Sequence, residues 1–428
     1  MPDINRIRAD LVIIGGGFMG LALARQAALK GLHSVIIERN QVQTAHYMSG
    51  LLAPRADYLR FDKEEVELTA HECHRWLEMF PDIVRPKLFI MPFNDNSPYS
   101  YIFLKPLMEL YDKTTSKRLG NFYQPHFRIS NMVLEQMEPS LRKSYFKEGL
   151  GFYELTAEPN ELLYQLRREV ASFRNFHFLT YPDRLNYNIQ GERIISVESI
   201  FNDRDDSFLF ENDGGLVVVN CAGPWVEDTA LPLGLSLPIE YRLGFQLSVK
   251  GKYLFQHSVI TFGPDKKYVI ISQRKDYVQI GPTNTKAKGS EDLNDPALRK
   301  QAADYLVEVL KDTIEPGYNL VEPRIRSGGL RVQPKLLLAP DSNRPFILDT
   351  KFENYHVVYP GKAVLALRTA DEFLDKIINK KKFTLCLSGR HKFKNSFKLN
   401  SIRLKSLAML GLWYLRSYLL KAKTQLFL

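Results

Sequence analysis

The feature that most constrains the fold is a buried strand near the N-terminus that runs directly into a glycine turn. Leu11–Ile14 is an apolar run typical of a buried parallel strand, and Gly15-Gly16-Gly17-Phe18-Met19-Gly20 follows with the spacing G-x-G-x-x-G. A helix rich in alanine and leucine extends to about Leu29, and a second apolar strand, Ser34–Ile37, ends before Glu38. This strand–glycine–helix–strand–acid unit predicts an α/β domain that binds a dinucleotide containing ADP.

Each residue of this unit has a predicted role in nucleotide binding. Gly15 makes the tight turn, Gly17 lets the backbone approach a pyrophosphate, and Gly20 lets the helix pack closely on the strand. The pyrophosphate is expected at the positive N-terminal end of the helix. Glu38 lies at about the spacing from which a carboxylate accepts hydrogen bonds from ribose hydroxyls. An ordinary tight turn without a nucleotide is the alternative.

Length and cysteine content limit the class of protein. The chain has 428 residues, more than one core usually holds, so two domains or one elaborated domain are expected. Cys73, Cys221 and Cys386 lie far apart, which indicates neither a disulfide framework nor a zinc site, and no metal is predicted. The first ten residues lack the apolar segment of a secretory signal, so we expect a cytoplasmic protein.

The net charge of +10 is concentrated in the C-terminal tail. Residues 376–428 hold thirteen Lys and Arg and no Asp or Glu. The apolar block Leu407–Leu415 is shorter than the roughly 20 residues that span a bilayer. A Trp-, Tyr- and Leu-rich helix beside basic residues predicts an interfacial anchor on an anionic membrane surface. A helix packed on the body of the protein or in a dimer interface is the alternative, and no nucleic-acid motif accompanies the charge.

A second glycine turn indicates which dinucleotide is bound. The apolar strand Leu216–Val219 ends in Asn220-Cys221-Ala222-Gly223-Pro224-Trp225. Flavoproteins with a two-dinucleotide-binding-type domain return a strand to the nucleotide in this way, whereas simple NAD dehydrogenases carry another βαβ unit. Phe176–Thr180 and Arg193–Ser199 alternate like strands between the two turns. We therefore predict FAD as the cofactor.

Several further motifs are spread along residues 10–378. They are GGGFMG, FPDIVRPKLFIMPF (80–93), LEQMEPSLRKSYFKEGLGFYE (134–154), NCAGPWV, GPTNTKAKG (281–289), GGLRVQP (328–334) and YPGKAVLALRTADEFL (359–374). In this order and spacing they resemble the FAD-dependent D-amino-acid oxidase superfamily, and most of all its flavin-dependent glycerol-3-phosphate dehydrogenase branch. The resemblance implies an α/β fold in which a Rossmann-like FAD domain of the two-dinucleotide-binding type carries an inserted mixed-sheet substrate domain and a basic C-terminal helical tail.

The resemblance also implies a discontinuous arrangement of domains. Its pieces are an FAD-binding domain of residues 1–85, 150–237 and 327–378, a substrate domain of residues 86–149 and 238–326, and a tail of residues 379–428. The residue pattern independently predicts strands and one helix in the substrate domain. These are Leu88–Phe93, Phe245–Val249, Tyr268–Ser272, Tyr277–Ile280 and the helix Ala297–Lys311.

Cofactor contacts are implied for five segments of the chain. They comprise Gly15, Gly16, Gly17, Phe18, Met19, Gly20, Glu38 and Arg39, then Ser49, Gly50 and Leu51, and finally Ala222, Gly223, Trp225, Gly361, Lys362 and Ala363. Lys362 precedes a predicted helix, Ala363–Leu374, whose positive end would stabilise negative charge on the reduced flavin. Arg331 is implied to hold the anionic end of the substrate, because a guanidinium binds a carboxylate or phosphate through two parallel hydrogen bonds. A surface arginine and a solvated lysine are the alternatives.

Three positions depart from the glycerol-3-phosphate dehydrogenase pattern. Gly50 replaces a lysine, Asp57 replaces an arginine although Arg55 lies nearby, and Gln246 replaces a candidate catalytic histidine. Oxidising an alcohol by hydride transfer needs a base, whereas an amine can bind already deprotonated. Arg55 and Gln246 thus join Arg331 and Lys362 as candidate catalytic residues, and glycerol 3-phosphate is expected to be a poor substrate.

The combined expectation is an FAD-dependent dehydrogenase on the inner face of a membrane. It would oxidise a small anionic hydroxy or amino compound and pass electrons to a quinone or another acceptor. A soluble FAD-dependent amine or amino-acid oxidase that uses oxygen is the alternative. A non-catalytic flavin-binding protein is the third possibility.

Overall fold

The computed structural model describes most of the chain before its C-terminal tail. The described residues are 3–39, 63–95, 97–119, 124–180, 182–201, 206–212, 215–250, 254–274, 276–318, 320–335 and 345–378. Contacts divide the chain into two units, Met1–Phe383 and Thr384–Leu428, and the second lies outside the described residues. The predicted tail and the candidate residues Ser49, Gly50, Leu51, Arg55 and Asp57 also lie outside them.

The described residues form both strands and helices. The strands are β1 (Asp3–Arg8), β2 (Leu11–Ile14), β3 (Ser34–Glu38), β4 (Arg85–Phe93), β5 (Phe127–Ser130), β6 (Glu148–Thr156), β7 (Phe176–Thr180), β8 (Arg184–Gln190), β9 (Arg193–Phe201), β10 (Asp206–Glu211), β11 (Val217–Asn220), β12 (Ile239–Lys250), β13 (Ser258–Phe262), β14 (Tyr268–Gln273), β15 (Tyr277–Gly281), β16 (Thr285–Ala287), β17 (Val321–Pro334), β18 (Phe346–Asp349) and β19 (Tyr355–Tyr359). The α-helices are α1 (Phe18–Leu29), α2 (Lys63–Met79), α3 (Tyr101–Leu119), α4 (Asn131–Met137), α5 (Pro159–Ala171), α6 (Val226–Ala230), α7 (Pro296–Thr313) and α8 (Ala366–Ile378).

A six-stranded sheet forms the centre of the first layer, in the order β18-β19-β11-β2-β3-β7. All its neighbours pair in parallel except β18 and β19. The residues of β2 and the first four of β3 are buried, as expected for parallel strands covered on both faces. Helices α1, α5 and α8 pack together in one apolar cluster on this sheet. The strands predicted around the first glycine turn are confirmed, and β11 begins one residue later than predicted.

A nine-stranded mixed sheet forms the second layer. Its order is β16-β12-β15-β14-β13-β4-β6-β5, and β17 pairs with β12. Strand β12 pairs with β16 and β15 along successive parts of one edge and with β17 along the other. Helix α7 packs against β12, β13 and β15. The predicted strands and the predicted helix of this region are confirmed, although the predicted domain boundaries at 149/150 and 326/327 fall inside β6 and β17.

A third, four-stranded sheet has the order β1-β10-β9-β8. Strand β1, which the sequence analysis did not predict, pairs in parallel with β10. Its sequence, DINRIR, has only two apolar residues, so pairing with a strand about two hundred residues away rather than local hydrophobicity defines it.

A buried ionic cluster joins the end of α8 to the six-stranded sheet. Both carboxylate oxygens of Asp349 accept hydrogen bonds from Lys376 Nζ at 2.6 Å, and His356 Nδ1 lies 2.8 Å from Oδ1. The Lys376 side chain is only 7% exposed. A buried ammonium needs such a partner, because its desolvation would otherwise be uncompensated.

This cluster predicts a specific dependence of stability on pH. Burial raises the pKa of Asp349, but hydrogen bonds and charge from His356 and Lys376 outweigh it and lower the pKa below its usual 3.8. A carboxyl group with a lowered folded-state pKa contributes its stabilisation fully above the unfolded-state pKa and loses it as the pH falls through the folded-state pKa. The free energy of unfolding should therefore decrease below about pH 4 in the natural protein, and Asp349→Asn should remove part of that decrease.

Urea unfolding at a series of pH values tests this prediction. Asp375→Asn is the matched control, since Asp375 pairs with Lys30 on the surface and its side chain is 60% exposed. If the free energy of unfolding falls equally steeply with decreasing pH in the natural protein and in Asp349→Asn, Asp349 does not cause the decrease.

Candidate functional site

The first glycine turn lies at the carboxyl end of β2 in the six-stranded sheet. Gly15 has φ +104°, and its N–H donates to the Ile37 carbonyl at 2.9 Å. A Cβ on Gly15 would lie 2.6 Å from the carbonyl oxygen of Cys221, and a Cβ on Gly20 would overlap the carbonyl oxygen of Gly15. Both positions therefore exclude a side chain, which confirms the tight turn and the close packing of α1 on β2.

The N-terminus of α1 is suited to bind an anion. Gly17 is its N-cap and has no side chain to bind the first backbone N–H groups, and the first turn contains no acidic residue. These N–H groups and the helix dipole favour a phosphate at this position. The side chains of Phe18 and Met19 are buried in the core behind the turn. Their predicted cofactor contacts would therefore come from the backbone.

Glu38 ends β3 directly beside the glycine turn. Its Oε2 accepts a hydrogen bond from the Gly16 N–H at 2.7 Å. The carboxylate is thus held at the edge of the turn, which is the position expected for a ribose-binding group. Arg39 follows it and is exposed.

The second glycine turn packs directly against the first. Cys221 N–H donates to the Ile14 carbonyl at 2.8 Å. The buried Asn220 holds this turn, because its Nδ2 donates to Val226 O and Tyr355 Oη while its Oδ1 accepts from the Ala222 N–H. Ala222 and the turn Gly223–Trp225, where Gly223 has φ +58°, are thereby fixed beside Gly15. The sequence analysis quoted Asn220 as part of a motif but gave it no role.

Lys362 stands where β19 leads into the last helix. It caps a 3-10 turn, Ala363–Leu365, and α8 begins only at Ala366, so the single helix predicted from Ala363 is corrected. Trp76 of α2 fixes this turn by donating from Nε1 to Val364 O at 2.8 Å. Burial raises the pKa of the neighbouring Cys73 thiol, the charges of Glu154 and Glu72 add to this, and the Lys362 charge opposes it.

Arg331 lies on β17 directly opposite Arg242 of β12. Its guanidinium donates to Asn284 Oδ1 at 3.0 Å. Burial raises the pKa of the Tyr359 hydroxyl, whereas the Arg331 charge and a backbone hydrogen bond at Val332 lower it, so this part of β17 lies beside the end of β19. The anion-binding candidate is therefore on the side of the nine-stranded sheet that meets the segment containing Lys362. Asn284 belongs to the GPTNTKAKG motif, which was the only sequence signal for it.

Gln246 lies on the same face of β12 as Arg242. The intervening side chains Leu243 and Phe245 point to the opposite face, where they are 0% and 2% exposed in the hydrophobic core. Gln246 is itself buried, and its Oε1 accepts a hydrogen bond from Gln279 Nε2 of β15. The face that carries both arginines thus also carries Gln246.

Metal-binding clusters and membrane-spanning helices are both absent from the residues that the structure describes. In that part of the chain, no group of three or more His, Cys, Asp or Glu side chains is placed to hold a metal ion. Among the helices described, none is both long enough and apolar enough to cross a membrane.

Comparison with known proteins places this geometry among flavoproteins. The family described as FAD dependent oxidoreductase matches residues 10–363. Alpha-glycerophosphate oxidase from Lactococcus lactis is 25% identical over 337 residues, covering 72% of this chain and 52% of that protein. The chain thus spans about half the length of this relative.

Solved structures share the fold. Glycerol-3-phosphate dehydrogenase from Bacillus halodurans, complexed with FAD, aligns with a TM-score of 0.63 and 16% identity, covering 87% of this chain and 65% of that one. Glycine oxidase from Bacillus cereus aligns with a TM-score of 0.62 and 16% identity, covering 87% of this chain and 96% of that one.

Proposed function

Because the chain belongs to the family of FAD-dependent oxidoreductases, we propose that it is an enzyme that oxidises a small anionic amino or hydroxy compound. The bound FAD supplies an acceptor for hydride. The residues around the two glycine turns fit this cofactor. Gly15 and Gly20 exclude side chains from the turn, the N-terminus of α1 would hold the pyrophosphate, and Glu38, which accepts from the Gly16 N–H, would also accept hydrogen bonds from the ribose.

The observation that carries the substrate proposal is the pair of facing arginines. Arg242 and Arg331 lie opposite one another on neighbouring strands; Arg242 is paired with Glu240 at 3.4 Å, whereas Arg331 donates to the neutral Asn284. Because Asn284 carries no charge, the Arg331 guanidinium would attract an anion and orient it through parallel hydrogen bonds. A backbone hydrogen bond at Val332 joins the Tyr359 hydroxyl to β17, and Tyr359 is three residues before Lys362, which supports a position for this anion near Lys362 and the flavin.

Gln246 favours an amino compound over an alcohol. Its side chain is an amide in a buried hydrogen-bonded chain, and an amide has no group that titrates near neutral pH. A hydroxyl group must lose its proton as hydride leaves the carbon, whereas a neutral amine needs no base. Glycerol 3-phosphate is therefore proposed to be a poor substrate, although relatives are named for it.

Anaerobic reduction of the bound flavin tests the proposed function. Purified yellow protein is mixed with small amino acids, amines, hydroxy acids and glycerol 3-phosphate, and the visible absorbance of the flavin is followed. We expect an anionic amino compound to bleach the flavin fastest. Rapid bleaching by glycerol 3-phosphate would contradict the role given to Gln246. Failure of every compound would favour a non-catalytic flavoprotein.

We also propose that electrons pass to a quinone at a membrane surface. The support is the sequence of the tail, which combines twelve basic residues with the apolar block Leu407–Leu415. Charge and apolar insertion together anchor a helix to an anionic interface. This location would bring a reduced flavin to an acceptor dissolved in lipid.

Truncation after Asn379 should leave a yellow protein that no longer sediments with anionic liposomes. Reduction of the flavin by substrate should persist, while quinone reduction should decrease. The full chain should lose part of its liposome binding at high salt, because exposed charges are screened within about 10 Å at 0.1 M. If the full chain does not bind anionic liposomes at low salt, the proposal is contradicted. Rapid oxygen consumption in the absence of liposomes would favour the oxidase alternative.

A further inference from the structure

A chain of polar side chains leads from the surface to Gln246. Glu158, just before α5, contacts the guanidinium of Arg274, and its side chain is 57% exposed. Arg274 Nε donates to Gln279 Oε1 at 2.9 Å. Gln279 Nε2 in turn donates to Gln246 Oε1. The chain therefore connects an exposed carboxylate to an amide that is 3% exposed.

The chemistry of the guanidinium fixes the direction of every bond in this chain. A guanidinium carries only donors, so the atom of Gln279 that faces Arg274 must be its oxygen. The NH2 group of Gln279 then faces Gln246, and the oxygen of Gln246 must face Gln279. The NH2 group of Gln246 is consequently on the side of its amide that faces away from Gln279.

We infer that Arg274 and Gln279 are positioning residues that hold the Gln246 amide as a hydrogen-bond donor in the substrate site. The two ends of a glutamine amide have nearly the same shape, so without this chain Gln246 would present either a donor or an acceptor. A fixed donor binds a substrate atom that accepts a hydrogen bond, and a carboxylate oxygen of an anionic amino compound is such an atom. This inference rests on the proposed function, because it assigns the face of β12 to substrate.

Two substitutions of Gln279 separate orientation from packing. Gln279→Leu removes the bond to Gln246, whereas Gln279→Glu keeps an acceptor for Arg274 and offers only acceptors to Gln246. The Gln246 amide should then turn and present its oxygen to the substrate. With the compound that bleaches the flavin fastest, each variant should lose about tenfold in kcat/KM while flavin content and Tm stay close to those of the natural protein.

A double-mutant cycle shows whether Gln279 acts through Gln246. Gln279→Leu should cause no further loss when it is added to Gln246→Leu. Arg274→Lys, which keeps a positive donor, should retain more activity than Arg274→Leu. The matched control is Gln190→Leu, because Gln190 is an exposed strand glutamine in the four-stranded sheet. If the losses of kcat/KM caused by Gln246→Leu and Gln279→Leu add up in the double variant, the inference is overturned.

Side-chain amide resonances test the orientation without any substrate. In flavin-loaded protein labelled with 15N-glutamine, the Gln246 resonance is identified by its disappearance in Gln246→Leu. It should shift in Gln279→Leu and in Arg274→Leu, and it should be unchanged in Gln190→Leu. If the Gln246 resonance does not shift in Gln279→Leu and Arg274→Leu, the inference is overturned. If no compound reduces the flavin of the natural protein, the proposed function is contradicted instead. The Gln246 resonance still shows whether Arg274 and Gln279 orient its amide.

Discussion

Gly15→Ala should yield a colourless protein, because the substitution closes the turn in which the pyrophosphate is expected. The new Cβ would lie 2.6 Å from the Cys221 carbonyl oxygen and 2.9 Å from the Ala222 Cα. Both contacts are with backbone, so no side chain can rotate away to relieve them. The two glycine turns would have to separate, and the cofactor position between them would be lost. Flavin absorbance per mole of purified protein measures this effect.

Gly31→Ala provides the matched control for this prediction. Gly31 follows α1 and has φ +78°, so alanine there incurs a comparable backbone strain of about 1–2 kcal/mol. A Cβ at Gly31 would meet nothing within 4 Å. Gly31→Ala should therefore lower the Tm slightly and keep its flavin. If Gly15→Ala retains as much FAD as Gly31→Ala, the turn is not the cofactor site.

Local sequence patterns predicted the first part of the fold because each of its elements is specified by adjacent residues. The buried run of β2, the glycine turn and the alanine-rich α1 follow one another without interruption. The second turn was likewise predicted from the residues that follow an apolar strand, and family resemblance added the role of Arg331. Sequence patterns and family resemblance both identify residues along the chain, but neither predicts which side chains contact one another in the fold.

Contacts between distant residues account for what the sequence did not predict. Asn220 meets Tyr355, and Gln246 meets Gln279, only after separate strands have paired. The register of β12 and β17 likewise decides that Arg242 faces Arg331. The 3-10 turn before α8 depends on the bond from Trp76, which is nearly three hundred residues away in sequence. Such partners leave no periodic pattern in the amino-acid sequence.

Arg331→Ala should raise KM for the anionic substrate strongly while changing the fold little. Arg331 is half-buried, and a hydrogen bond to a charged group contributes roughly 1.5–3 kcal/mol, which corresponds to about tenfold or more in binding. Arg331→Lys should give an intermediate value, because an ammonium keeps the charge but loses the planar fork. Asn284→Ala should have a smaller effect, since it removes only the bond that orients the guanidinium.

Steady-state kinetics with the compound that bleaches the flavin fastest measures these changes. Arg128→Ala is the control, because Arg128 lies on β5 of the same sheet with its side chain 59% exposed and pairs only locally with Glu148 and Tyr101. It should leave KM unchanged. A neutral amine lacking the anionic group should lose nothing when Arg331 is replaced, since the arginine acts on the anion alone. An equal loss for the neutral and the anionic compound would assign Arg331 to the structure of β17 and leave the anion site to be found elsewhere on this face.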